Sequence, residues 1–176
     1  VAGGDYAAAF GSSDAMGMFS FAANTATASG DYSVAFGNGA TASADDSVAI
    51  GNGSSATSAY SVALGGGTAS NSYAVAIGDG VTASGANSLA LGGNTTASGD
   101  YAATLGYATN AAGFAAVAMG SQVSAFGDES IALGTYTSAG NNAMAIGLMS
   151  TNPATDPQVS GSNHSVYSWV TKMRLI

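Results

Sequence analysis

Apolar residues along this chain come in short bursts at a fixed interval. Each burst is a pentad with a small residue between two larger ones and a closing glycine, as in SVAFG at 33–37, SVAIG at 47–51 and SVALG at 61–65. AAAFG at 7–11 and SFAAN at 20–24 precede these in the same register. AVAIG ending at Gly78, SLALG at Gly92, AATLG at Gly106, AVAMG at Gly120, SIALG at Gly134 and AMAIG at Gly147 follow. The eleven copies lie 13 or 14 residues apart. Alternation at period two predicts short strands, and the recurring glycines predict turns between them. Helical-hairpin repeats need about 33 residues and leucine-rich repeats about 20–29, so this period is too short for either. It matches one coil of a β-solenoid with two short strands and two turns, and no helical stretch is evident.

The pentads also predict which face is which. Their central residue is Ala9, Ala22, Ala35, Ala49, Ala63, Ala76, Ala90, Thr104, Ala118, Ala132 or Ala145, whereas its two neighbours are larger and variable. Successive strand residues point to opposite sides, so one side is held small. A second alanine recurs five residues after most pentad glycines, at Ala42, Ala56, Ala83, Ala97, Ala111, Ala125 and Ala139. Hydroxyls flank it, as in Thr41 and Ser43, Thr82 and Ser84, and Thr96 and Ser98. This predicts a second strand with Ala inward and hydroxyls toward water.

The large residues must then leave the coil. The pairs Val34 and Phe36, Val48 and Ile50, Val62 and Leu64, and Val75 and Ile77 are expected to stack along one side. Leu89 and Leu91, Val117 and Met119, Ile131 and Leu133, and Met144 and Ile146 continue the stripe. Such a stripe exceeds what a monomer usually exposes, and identical chains arranged around it by cyclic symmetry would cover it. The opposite packing, with large residues inside and Ala at the interface, would still leave a flat side suited to association.

Composition narrows the class of function. Of 176 residues, 47% are apolar but only 7% are charged, against about 25% in typical domains. Much of the apolar share is alanine and 26 residues are glycine, so the fold is expected to be thin or to borrow burial from a partner. The formal charge is −8, and the only basic side chains, Lys172 and Arg174, lie in the last five residues near His164. A body without Lys or Arg cannot displace counterions from phosphates, which argues against nucleic acid and anionic lipid as partners. The chain has no cysteine, so disulfides and thiol chemistry are excluded. No signal-like start and no apolar run of about 18 residues occurs, so any export or anchor segment is expected outside this sequence.

The pentads with a preceding Asn or acid, as in DSVAIG at 46–51, NSLALG at 87–92, ESIALG at 129–134 and NAMAIG at 142–147, resemble the head repeats of YadA-like trimeric autotransporter adhesins. The resemblance covers about residues 7–147. It implies an all-β, left-handed parallel β-roll of 13/14-residue coils, assembled as a parallel homotrimer on a Gram-negative cell surface. It also implies anchoring to the outer membrane through stalk and anchor segments that are not in this sequence, with no direct membrane contact by this part. Heads of that family attach bacteria to host cells or to matrix proteins such as collagen, fibronectin or laminin. Asn87, Ser88, Leu89, Ala90, Leu91 and Gly92 match the family's matrix-binding motif best, with Leu in place of Val and Ile. Because the same apolar residues are expected to be buried in the assembly, the motif reads as structural first.

Residues 1–147 therefore read as the head. LMSTNPATDPQVSGSNHS at 148–165 carries both prolines and reads as a linker or loop. VYSWVTKMRLI at 166–176 reads as a strand, the start of a truncated further domain, or a partly vector-derived segment. No catalytic, cofactor or metal site is expected: no Lys or His stands near the serines of the body, and GGGTAS at 65–70 lacks the Asp of calcium-binding rolls. Asp45 with Asp46, and Asp128 with Glu129, are expected to be solvated turn residues, and Asp14, Asp31, Asp79 and Asp100 to fall near turns. GNG at 51–53 and GDG at 78–80 are expected at coil corners. Two alternatives to adhesion are an ice-binding solenoid using stacked outward Ser and Thr, and a purely structural fibre shaft. Asn110 with Ala112, Ser124 with Phe126 and Ser138 with Gly140 interrupt the hydroxyl ladder that ice binding would need.

Overall fold

The structure is a computed structural model that describes residues 1–147. The expected linker, the expected terminal strand and the residues His164, Lys172 and Arg174 lie outside the described residues. The chain winds as a parallel β-solenoid with no helix among the described residues. Each coil adds one strand to an 11-stranded sheet and the next to a 10-stranded sheet, and strands follow one another in chain order within each. The first sheet is built from the pentads: Val34–Phe36, Val48–Ile50 and Val62–Leu64 are adjacent strands. The second is built from the Ala-centred pairs, as in Thr41–Ala42, Ser55–Ala56 and Thr68–Ala69.

Register is the same from coil to coil: Val34 pairs with Val48 and Val48 with Val62, Ala35 with Ala49 and Ala49 with Ala63. A slip of one residue would push Val, Ile and Leu into the interior and turn Ala outward, so the small–large alternation itself enforces the pairing. The interior is narrow. The central alanines Ala35, Ala49, Ala63, Ala76, Ala90, Ala118 and Ala132 are fully buried, and so are Ala42, Ala56, Ala83, Ala97, Ala111, Ala125 and Ala139 from the facing sheet. Among the described residues no fully buried side chain is larger than those of Val81 and Val123. The arrangement with large residues inside the coil is therefore ruled out.

Serine has an interior role that the alternation alone did not expose. Ser33, Ser47, Ser61, Ser88 and Ser130 open the pentads and are buried with the alanines. The hydroxyls of Ser33 and Ser130 donate to the carbonyls of Gly30 and Gly127 at 2.6 Å, closing the bend that leads into the strand. Ser47 and Ser61 do the same to Ala44 and Ser58. Four of the five hydroxyls thus find a partner, whereas that of Ser88 has none among the described residues, and a residue this small is what the space admits.

At the opposite corner, Gly51, Gly53, Gly78 and Gly80 sit at positive φ, as expected of corner glycines. Gly92 has φ +127, and a Cβ there would be driven into the carbonyl oxygen of Gly106 in the next coil. Gly53 has φ +68 but open space around it. Gly92→Ala is therefore expected to destabilise by about 3 kcal/mol or more, from backbone strain plus steric displacement of the neighbouring coil. Gly53→Ala carries only the left-handed penalty, about 1–2 kcal/mol. Thermal unfolding of the two variants side by side checks the difference.

Candidate functional site

Three outward features run along the rod. The first is the apolar stripe. The first and third residues of every three-residue pentad core are apolar in all eleven coils, from Ala8 and Phe10 to Met144 and Ile146. Val34, Val48, Val62, Leu64, Val75, Leu91, Val117, Ile131 and Leu133 are half-buried by their neighbours in the sheet, and Phe36, Ile50, Ile77, Leu89, Met119, Met144 and Ile146 are exposed. Leu105 at 45% exposure and Phe10 at 60% belong to the same surface. At roughly 4.8 Å per strand the stripe is about 50 Å long.

The second feature is the hydroxyl face. Thr27, Thr41, Ser55, Thr68, Thr82 and Thr96 pair in register down the second sheet, and Asn110 then takes the position. Ser43, Thr57, Ser70, Ser84 and Ser98 follow the inward alanines until Ala112 and Phe126 replace them. The ladder is thus regular over six coils and irregular beyond.

The third is the corner leading into each pentad, where every coil places a non-glycine residue in the left-handed region. These residues are Tyr6, Phe19, Tyr32, Asp46, Tyr60, Tyr73, Asn87, Tyr101, Ala115, Glu129 and Asn142, with φ between 52 and 60. From Phe19 onward each donates its backbone N–H to a carbonyl of the preceding coil, for example Tyr32 to Met18 at 2.8 Å and Asp46 to Asp31 at 2.8 Å. The Asn or acid that opens the pentad motif thus occupies a position where Asn and Asp are intrinsically tolerated. Where successive corner residues are both aromatic, rings stack: Tyr6 on Phe19 at 4.9 Å, Phe19 on Tyr32 at 5.2 Å, and Tyr60 on Tyr73 at 4.9 Å.

The aspartates at this corner do more than meet water. Asp31 Oδ1 accepts from the N–H of Met18 at 2.8 Å, and Asp45 Oδ1 from that of Asp31 at 3.0 Å. Asp100 and Asp128 accept from Ala86 and Phe114, each at 2.8 Å. Each carboxylate reaches back one coil and holds a turn N–H that the ladder leaves free, so the expectation of merely solvated turn residues needs this correction. Asp14 opens the two-residue strand Asp14–Ala15 just after the bend at Gly11 and Ser12, and so falls near a turn as expected. Among the described residues no group of three or more His, Cys, Asp or Glu is placed to hold a metal ion.

The six motif residues are divided by the fold. Ser88 and Ala90 are buried in the coil, while Asn87, Leu89 and Gly92 are exposed and Leu91 is half-buried. A ligand on the surface reaches only the last four, and Leu89 and Leu91 are part of the stripe.

The model of the YadA head domain repeat matches residues 24–40, 42–68, 83–109 and 111–137, together more than half of the chain. The chain belongs to the YadA head family. No curated protein matches it. In this YadA head the matched segments run coil after coil through both sheets, so the family repeat and the structural repeat are the same unit. What the pentad pattern missed is the aromatic corner. Its signal was present, since Tyr32, Tyr60, Tyr73 and Tyr101 keep the register of the repeat, but an unusual backbone angle is not visible in residue spacing.

Proposed function

We propose that this YadA head is the surface-exposed tip of a trimeric autotransporter adhesin. Three left-handed rolls associate in parallel along their apolar stripes, on a bacterial surface, anchored to the outer membrane through segments outside this sequence. The carrying observation is the stripe: no polar residue enters it in any coil. Burying a Val, Leu or Ile fully is worth roughly 1.5–3 kcal/mol, so a stripe of this length supplies what an Ala-lined interior cannot. The trimer then presents its hydroxyl faces and acidic corners outward, repeated coil by coil. Attachment to host cells or to matrix proteins of the collagen, fibronectin or laminin class arises from many weak contacts summed over three chains and many copies. The role is non-enzymatic.

Sedimentation at low concentration is expected to give a particle of three chains, and a stable monomer would overturn the assembly. Solid-phase binding to a panel of matrix proteins, against a variant with its outward Ser and Thr scrambled, tests the adhesive role. Ice binding by the hydroxyl face would show as a thermal-hysteresis gap in pure protein. The interruptions of the ladder at Asn110, Ala112, Phe126 and Gly140 argue that no gap will be found. A fibre shaft without ligand corresponds to a trimer that binds nothing in the panel.

A further inference from the structure

The aromatic ladder of the left-handed corner is interrupted, and one interruption has the chemistry of a binding site. Phe19 stacks on Tyr32 with planes 15° apart, and Tyr60 on Tyr73 with planes 5° apart. Between these two stacks the corner residue is Asp46. The three corners are consecutive and hydrogen-bonded, Asp46 N–H to Asp31 at 2.8 Å and Tyr60 N–H to Asp45 at 3.1 Å. Tyr32 and Tyr60 each keep one ring face without an aromatic neighbour, on the side toward Asp46. Both rings are about half exposed, at 53% and 50%.

We propose that Tyr32, Asp46 and Tyr60 form a slot for the guanidinium group of an arginine side chain carried by a protein partner. Two strand spacings separate the rings, roughly 9–10 Å. A cation midway lies about 5 Å from each ring, inside the ~6 Å over which a cation and an aromatic face attract. A planar group fits between two rings where a bulky one does not, and the carboxylate of Asp46, the corner residue between them, matches the fork of a guanidinium. Lysine has neither the plane nor the fork. The chain cannot fill the slot from its own body, because residues 1–171 contain no Lys or Arg. Its charge of −8 draws a basic partner toward this corner.

The same fold supplies a comparison. Asn87 stands between Tyr73 and Tyr101 in the same conformation. It carries no charge, and Tyr101 meets Phe114 edge-on at 72° rather than stacking parallel. That gap lacks the elements that make the Asp46 slot selective.

The test titrates N-acetyl-arginine amide into the full chain and follows the tyrosine ring signals by NMR. Saturable shifts of Tyr32 and Tyr60 are expected, with Tyr6 and Tyr107 unmoved. Asp46→Asn and Tyr60→Asn keep residues that accept the left-handed conformation, so both should fold; Asp46→Asn is expected to weaken binding by about tenfold or more. N-acetyl-lysine amide is expected to bind several-fold more weakly than the arginine probe. Absence of saturable shifts at Tyr32 and Tyr60, or an unchanged affinity in Asp46→Asn, would overturn the proposal. Light scattering on the same samples reports the assembly separately, so failure of the slot and failure of the trimer are distinguishable.

Discussion

Ala90→Leu is expected to be among the most damaging substitutions in the chain, lowering stability by about 3 kcal/mol or more, at or beyond the upper end of what overpacking usually causes. Ala90 is fully buried and pairs with Ala76 on one side and Thr104 on the other. The opposing sheet presents Ala83 and Ala97, also fully buried. Three extra carbons therefore meet side chains that are already near minimal size, and the sheets can part only by breaking register with the coils above and below. Ser84→Leu offers the contrast, because Ser84 follows the inward Ala83 and faces away from the interior. A change of that kind on the surface is usually within about 0.5 kcal/mol. Thermal unfolding midpoints should separate the two variants by many degrees. Equal midpoints would mean that the inward and outward faces have been exchanged.

The second large effect is expected from Ile50→Asp combined with Ile77→Asp. Both side chains are exposed in the single chain, at 40% and 37%, and both lie on the apolar stripe. In a trimer closed around that stripe, the double variant places carboxylates from three chains together in an apolar centre. Unpaired buried charges are strongly destabilising, on the order of 3–5 kcal/mol each, so the assembly is expected to fall apart into single chains. The coil interior is untouched, because Ala49 and Ala76, the strand neighbours of the altered residues, keep their packing. Sedimentation reads the mass, and circular dichroism reads whether β-structure survives dissociation. A double variant that still sediments as three chains would show that the stripe is not the contact surface. Loss of β-structure together with mass would show that the coil needs its neighbours in order to fold.

Most of the fold was legible because a solenoid repeats one local decision. Pentads such as SVAIG state strand, face and turn within five residues, and the next copy states them again. A chance match in one copy carries little weight, whereas eleven copies in a single register leave little room for another architecture. The outward side was legible less directly. Whether Val34 and Phe36 or Ala35 faced the interior depended on how close the two sheets approach, and no residue spacing specifies that distance. The buried serines illustrate the same limit: Ser33 reads as polar and surface-like, yet it lies inside because its hydroxyl closes the bend onto Gly30 at 2.6 Å.

The candidate sites divide along the same line. The stripe followed from alternation, since period two sends every second side chain the same way. The corner did not follow, because its character comes from backbone angle and from neighbours one coil away. Asp45 and Asp46 are adjacent in sequence and look alike, but Asp45 reaches back to the N–H of Asp31 while Asp46 stands between the exposed rings of Tyr32 and Tyr60.

By itself the sequence determined the period, the two strands per coil, the parallel stacking and the smallness of one face, since these are properties of local alternation and turn chemistry repeated at constant spacing. The tertiary structure alone decided that among the described residues nothing larger than valine is fully buried, that Ser88 and Ala90 are hidden while Asn87 is exposed, and that tyrosines 13 residues apart become stacked neighbours. The reason is that these outcomes depend on the distance between two sheets and on contacts between successive coils, and both come into existence only when the chain has wound back on itself.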